Sequence, residues 1–149
     1  MNMAKAKYII ASGPVIIENN KVLLNRHGED EKAKQYWKFV GGKIEDADFK
    51  KQNSILEEAC MREVKEEMGV KVKILLPLKP MLIKHPDKKN TVVILIHYLA
   101  KRIGKIKMAK EIEEFAWFDI DKLPTNCAPN IKAVICEYKE LKQKGLINV

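Results

Sequence analysis

The sequence predicts an α+β fold in which a mixed sheet is flanked by helices, and three observations lead there. Most of the chain reads as short β-rich runs, one helical stretch lies near the middle, and a second closes the chain. Tyr8–Ile17 and Lys21–Asn25 are strand-like and are separated by Glu18-Asn19-Asn20, which suits a hairpin turn. Gly28–Gln35 is a polar, charged loop, and Tyr36–Val40 is a short aromatic strand that runs into Gly41-Gly42. Lys43–Asn53 is polar and irregular. Ser54 suits the N-cap of a helix over about Ile55–Met68, and Gly69 stands where a glycine closes a helix. Val70–Leu76, Met81–Lys84 and Thr91–Lys101 read as strands, with a turn-rich loop over Lys84–Asn90. Phe115–Phe118 is a last short strand and Asp121-Lys122-Leu123-Pro124 begins a turn. The closing helix, Asn130–Lys144, carries Ile131, Val134, Ile135, Tyr138 and Leu141 at helical spacing.

At 149 residues and 46% hydrophobic composition, the chain is expected to fold as one domain over 1–149 with a sizeable core. No run approaches the roughly 18–20 apolar residues that span a bilayer. The longest, Val92–Leu99, is of strand length and is broken by His97. Lys5 and Lys7 precede an apolar stretch, but Gly13-Pro14 and Glu18 interrupt it without a cleavage-like site, so a cytoplasmic protein is expected. Cys60, Cys127 and Cys136 lack metal-ligand spacing, and none pairs with His27, His85 or His97 in a zinc-like pattern. The net charge of +8 allows a nucleic-acid partner, yet only Arg26, Arg62 and Arg102 among 28 basic residues are arginines. Arginine's planar fork is the usual reader of phosphates and bases, so nucleic acid is not favoured over a general attraction for anionic substrates. The sequence leaves open whether the chain pairs as a homodimer.

The chemistry lies in Arg62-Glu63-Val64-Lys65-Glu66-Glu67-Met68-Gly69-Val70. At about 100° per residue, Glu67 falls about 40° from Glu63, and Glu66 lies beside them on the outer side. The apolar stripe runs from Leu56 through Cys60, Val64 and Met68 to Met61, with Glu67 inside it and Glu63 on its edge. A solvated acidic face would put the glutamates opposite that stripe, where Lys65 and Arg62 lie instead. Carboxylates crowded against a core repel one another and lose hydration, and a hard divalent cation offsets both costs.

These nine residues match, at every fixed position, the second half of the Nudix hydrolase signature, and here the chain resembles that family. Trp37 to Glu45 is similar to the family's strand and Gly-Gly entry, and Glu111 to Pro124 to its late strand and turn. The resemblance implies an α/β/α sandwich with a mixed sheet between helices, and a Mg²⁺-dependent hydrolase, with Mn²⁺ as an alternative ion, that cleaves a diphosphate linkage in a nucleotide. Position by position, it implies Glu63 and Glu67 as principal metal ligands and Glu66 sharing a second ion or orienting water. It further implies the Gly42 carbonyl completing the site and Arg62 pairing with a carboxylate to hold helix and loop together. The general base is either a signature glutamate or one of Glu111, Glu113 and Glu114, with Glu111 favoured. Near the mouth, Lys38, Lys43 or Lys84 would hold outer phosphates, Tyr36 and Trp37 would stack on a base, with a core position in its strand the other reading of Trp37, and Arg26 would also touch substrate.

The chain departs from the pattern twice. Gly42 and Arg62 stand six positions further apart than in the signature, and Ser54 stands where the signature's first Glu falls. Asp46, Asp48 and Glu57 are each able to replace that acid, and the sequence does not choose among them. Two other readings keep the fold: an RNA 5′-end pyrophosphohydrolase, and a catalytically dead module that binds RNA or a nucleotide.

Overall fold

A computed structural model describes residues 5–26, 36–45, 48, 56–85, 87–107 and 114–149. Strands β1 (Lys7–Glu18) and β2 (Lys21–Arg26) form the expected hairpin, with Glu18 facing Lys21 across a two-residue turn. Asn19 and Asn20 take φ of 50° and 63°, the positive values that such a turn demands and that Asn tolerates. β3 (Gly42–Lys43) is a two-residue strand against β1. It is followed by helix α1 (Leu56–Met68), β4 (Lys71–Pro77), β5 (Met81–Lys84), β6 (Thr91–Ile103), β7 (Glu114–Asp119) and helix α2 (Ile131–Gln143).

The strands form one sheet in the order β4-β6-β1-β2-β7, with β3 on β1 and β5 on β6. β1 and β6 run parallel from Lys7/Thr91 to Ile16/Ala100, and the other named pairs are antiparallel, so the sheet is mixed. Alternate residues feed opposite faces. Val15, Ile17, Val22, Leu24 and Leu99 pack with Ile131, Val134, Ile135 and Tyr138 of α2. Ile16, Leu23 and Ala100 pack with Val64 and Met68 of α1. Covered on both sides, β1 keeps an unbroken buried run from Ser12 to Ile17 where a one-sided strand would alternate.

Tyr36–Val40 differs from the expected strand. It is held by single bridges, Asn25 to Lys38 and Trp37 to Cys127, because Trp37 is pinned on both sides to residues 126–128. The apolar stripe of α1 is also narrower than the wheel implies. Ala59, Cys60, Glu63, Val64 and Met68 are buried, whereas Leu56 and Met61 at its margins are exposed. Ser54, Ile55, Asp46, the Gly28–Gln35 loop and most of Lys43–Asn53 lie outside the described residues, as do Glu111 and Glu113.

Candidate active site

α1 lies along the sheet where β1 meets the Val40-Gly41-Gly42 turn, and glycines make the approach close enough. A Cβ on Gly13 would overlap the Val40 carbonyl, and one on Gly41 would come within 2.5 Å of the Ser12 carbonyl. A Cβ on Gly42 would overlap the Glu63 carboxylate itself. The Gly41-Gly42 backbone therefore lies directly against the glutamate face of α1.

Glu63 is 6% exposed, and burial raises its pKa against the opposing pull of Arg62. Glu67 accepts a hydrogen bond from the Gly41 N–H at 3.3 Å. Burial first, then the charge of Glu63, pushes the Glu67 carboxyl up to about 8, while Lys38 and the Gly41 N–H pull it down. The helical wheel puts Glu67 deeper than Glu63. In the structure the Glu63 side chain is the more covered, because Gly42 closes over it. Glu66 is exposed and accepts from Arg62 Nη1 at 2.9 Å.

Arg62 is the hub of this face. Its Nε and Nη2 donate to the two carboxylate oxygens of Asp48 at 2.8 and 2.9 Å, and Nη2 also reaches Glu63 Oε1 at 2.9 Å. Glu45 lies 3.7 Å from Nη1. The Arg62 guanidinium holds the Asp48 carboxyl below the usual carboxylate range. Of the three acids able to replace the missing first Glu, Asp48 is the one that the described contacts join to Arg62. The sequence could not select it, because helical spacing ranks residues on a helix and not across an irregular loop.

The residues expected at the substrate are spread over two sides. Lys38 is near enough to Glu67 to influence its carboxyl, and Lys43 is exposed on β3 beside Ala11 of β1. Lys84 pairs with Val92, which pairs with Tyr8, about 13 Å along β1 from the Ser12–Gly42 pairing at strand rise. Arg26 pairs with Glu114 and lies 4.7 Å over the Trp37 ring. Trp37 is buried, with Phe118 edge-on at 4.7 Å, so its ring is largely covered, whereas the neighbouring Tyr36 is 44% exposed.

His97 and Asn130 were not singled out by the sequence reading. His97, on β6, is buried, and burial takes its pKa down to about 4. Asn130 Nδ2 donates to His97 Nε2 at 3.1 Å, and Phe39 packs edge-on at 5.1 Å. Asn130 stands at the N-cap of α2 but makes no side-chain cap, since its amide is turned to His97. The available signal was the single polar break that His97 makes in Val92–Leu99.

Among the described residues no three His, Cys, Asp or Glu side chains close into a metal cage, and no helix is long and apolar enough to cross a membrane. The NUDIX domain family model matches residues 8–138. The chain is 32% identical over 89 residues to an 8-oxo-dGTP diphosphatase of Proteus vulgaris, covering 60% of this chain and 74% of that protein. It is 31% identical over 130 residues to the m7GpppN-mRNA hydrolase of Saccharomyces cerevisiae, covering 85% of this chain but only 12% of that protein. In structure it is similar to the MutT protein of Methanosarcina mazei Go1, with a TM-score of 0.77 at 20% identity, covering 95% of this chain and 99% of the other. The solution structure of the E. coli ORF135 protein has a TM-score of 0.73 at 19% identity, with 96% of both chains covered. The chain belongs to the Nudix hydrolase family. It is an enzyme of the class that hydrolyses phosphorus-containing acid anhydrides.

Proposed function

We propose that the chain hydrolyses a diphosphate linkage in a small nucleotide by attack of water on phosphorus, with Mg²⁺ held by Glu63 and Glu67. Mn²⁺ is able to take its place. The observation that carries this reading is the pair of carboxylates pressed against Gly41-Gly42, Glu63 buried under Gly42 and Glu67 half-buried on the Gly41 N–H. Both are held where ionisation is disfavoured, a cost that a cation removes. The donor set fits: Mg²⁺ prefers oxygen ligands and commonly uses one or two carboxylates together with waters and substrate phosphates, so a complete protein cage is not required.

Bound there, the cation would stabilise the negative charge that builds on the phosphoryl oxygens and favour ionisation of water. The protein's own residues do the rest. Glu63 and Glu67 would supply the metal-facing oxygens, and the Gly42 carbonyl would complete the set. Glu66, exposed at the rim, orients the attacking water or shares a second ion, and Arg62 fixes the orientation of Glu63 and Glu66 through its fork. Lys38 and Lys43 draw in the phosphates, Arg26 is stacked over the Trp37 ring, and Tyr36 offers the exposed ring for a base. Glu111 is assigned as the proton acceptor from its place in the sequence.

An RNA 5′ end as substrate is the second reading. It is favoured by the +8 charge and by the length over which the chain matches the mRNA hydrolase. ADP-ribose, dinucleoside polyphosphates, NADH, sugar nucleotides, NTPs and 5′-triphosphate RNA, each assayed with Mg²⁺ and with EDTA, decide between the two. The expected result is turnover of a small nucleotide that stops with chelator. Full activity in EDTA after metal stripping would overturn the metal assignment, and turnover confined to RNA would establish the second reading.

A further inference from the structure

Arg62 has five N–H donors in a rigid fork and several carboxylates within reach, so something must decide which way the fork faces. Asp48 takes the Nε edge in a bidentate pair at 2.8 and 2.9 Å, and its side chain is 11% exposed. That pairing leaves Nη2 directed at Glu63 Oε1 and Nη1 at Glu66 Oε2, both at 2.9 Å. Asp48 is also tied to the strand that enters the site. Its Oδ2 accepts the Glu45 N–H at 2.8 Å, and its own N–H donates to the Glu45 carbonyl at 2.9 Å. Glu45 follows Gly42-Lys43, and Ile44 is bound to the Ile10 carbonyl at 2.8 Å. One side chain thus links the segment after Gly42 to the arginine that orients Glu63.

We infer that Asp48, carried by the longer segment between Gly42 and Arg62, is the positioning residue that aims Arg62 and, through it, Glu63, in place of the acid absent at Ser54. The inference rests on the metal-site reading above. Without Asp48 the guanidinium loses its bidentate anchor, and the 2.9 Å contacts that orient Glu63 and Glu66 lose their fixed direction. Asp48 is assigned no contact with substrate or metal; its effect passes through Arg62.

The test uses the whole chain and Mn²⁺ alone, with free ion followed by its electron paramagnetic resonance signal. Asp48→Asn keeps the shape and removes the charge, and Asp48→Ala removes the anchor. Both should weaken Mn²⁺ binding by about 10–100-fold, the range found when partners of metal ligands are removed. At sub-saturating metal turnover should fall in step with that loss, while nucleotide KM at saturating metal stays near the parent's. The metal-free melting temperature of the Asn variant should also stay near the parent's. Parent-like Mn²⁺ binding in both variants overturns the inference alone. So does a loss of binding that only tracks a lowered metal-free melting temperature, which would mark Asp48 as merely structural. A parent that binds no Mn²⁺ defeats the metal-site reading itself.

Discussion

A buried histidine is tolerated when it stays neutral and finds a partner, and His97 meets both conditions through burial and the Asn130 amide. The consequence for stability has a definite sign. The folded pKa is down at about 4 against an ordinary 6.5, so in acid the unfolded chain takes up a proton that the folded chain refuses. The contribution is fully present above pH 6.5 and is lost as pH falls toward 4, by about 2–3 kcal/mol at pH 4.5. Urea unfolding at pH 7 and pH 4.5 measures it. His97→Gln should lose less stability over that interval than the parent by roughly this amount, and equal losses would show that His97 does not titrate as its burial implies.

Among the elements, the crossing of β1 with the Val40-Gly41-Gly42 turn sets how near α1 comes to the sheet. Gly13 and Gly42 separate two roles of that crossing. The Gly13 Cβ would strike a backbone carbonyl that has nowhere to go, so Gly13→Ala should destabilise by about 1–3 kcal/mol. The Gly42 Cβ would strike the end of a movable glutamate, so Gly42→Ala should melt nearer the parent yet lose activity by roughly 100-fold through displacement of Glu63. Melting curves and turnover on the two variants check this; Gly42→Ala with full turnover would remove the Gly42–Glu63 contact from the site. Strands and helices were legible because alternation and helical spacing report burial directly: β1, β2, β6 and α2 fall within a residue or two of where the pattern puts them. Tyr36–Val40 was not, since its conformation is fixed by bonds to residues 126–128, distant in the chain. The narrower stripe of α1 was missed for a related reason, because a wheel cannot say which neighbours cover each side.

At the scale of the whole molecule, the mixed sheet holds α1 and α2 on opposite faces, with the glutamates of α1 brought under the Gly-Gly turn and Asn130 of α2 brought to His97. The positions of Glu63, Glu66, Glu67 and Arg62 were readable because the helix fixes their mutual spacing. Asp48 and the His97–Asn130 pair were not, because each depends on the sheet uniting segments far apart in sequence. In the proposed mechanism Glu67 is a metal ligand held at a cost to the metal-free fold. Glu67→Gln keeps the shape and removes the repulsion with Glu63, so the metal-free variant should be as stable as the parent, or more stable by up to about 2 kcal/mol. A cation that binds only the folded chain stabilises it, by about 2.7 kcal/mol at one hundred times its Kd. The most direct measurement is the Mg²⁺-induced shift in melting temperature of parent and Glu67→Gln side by side. The parent should show a clear upward shift and the variant should lose most of it; a variant that keeps the parent's shift would contradict the assignment of Glu67 to the metal.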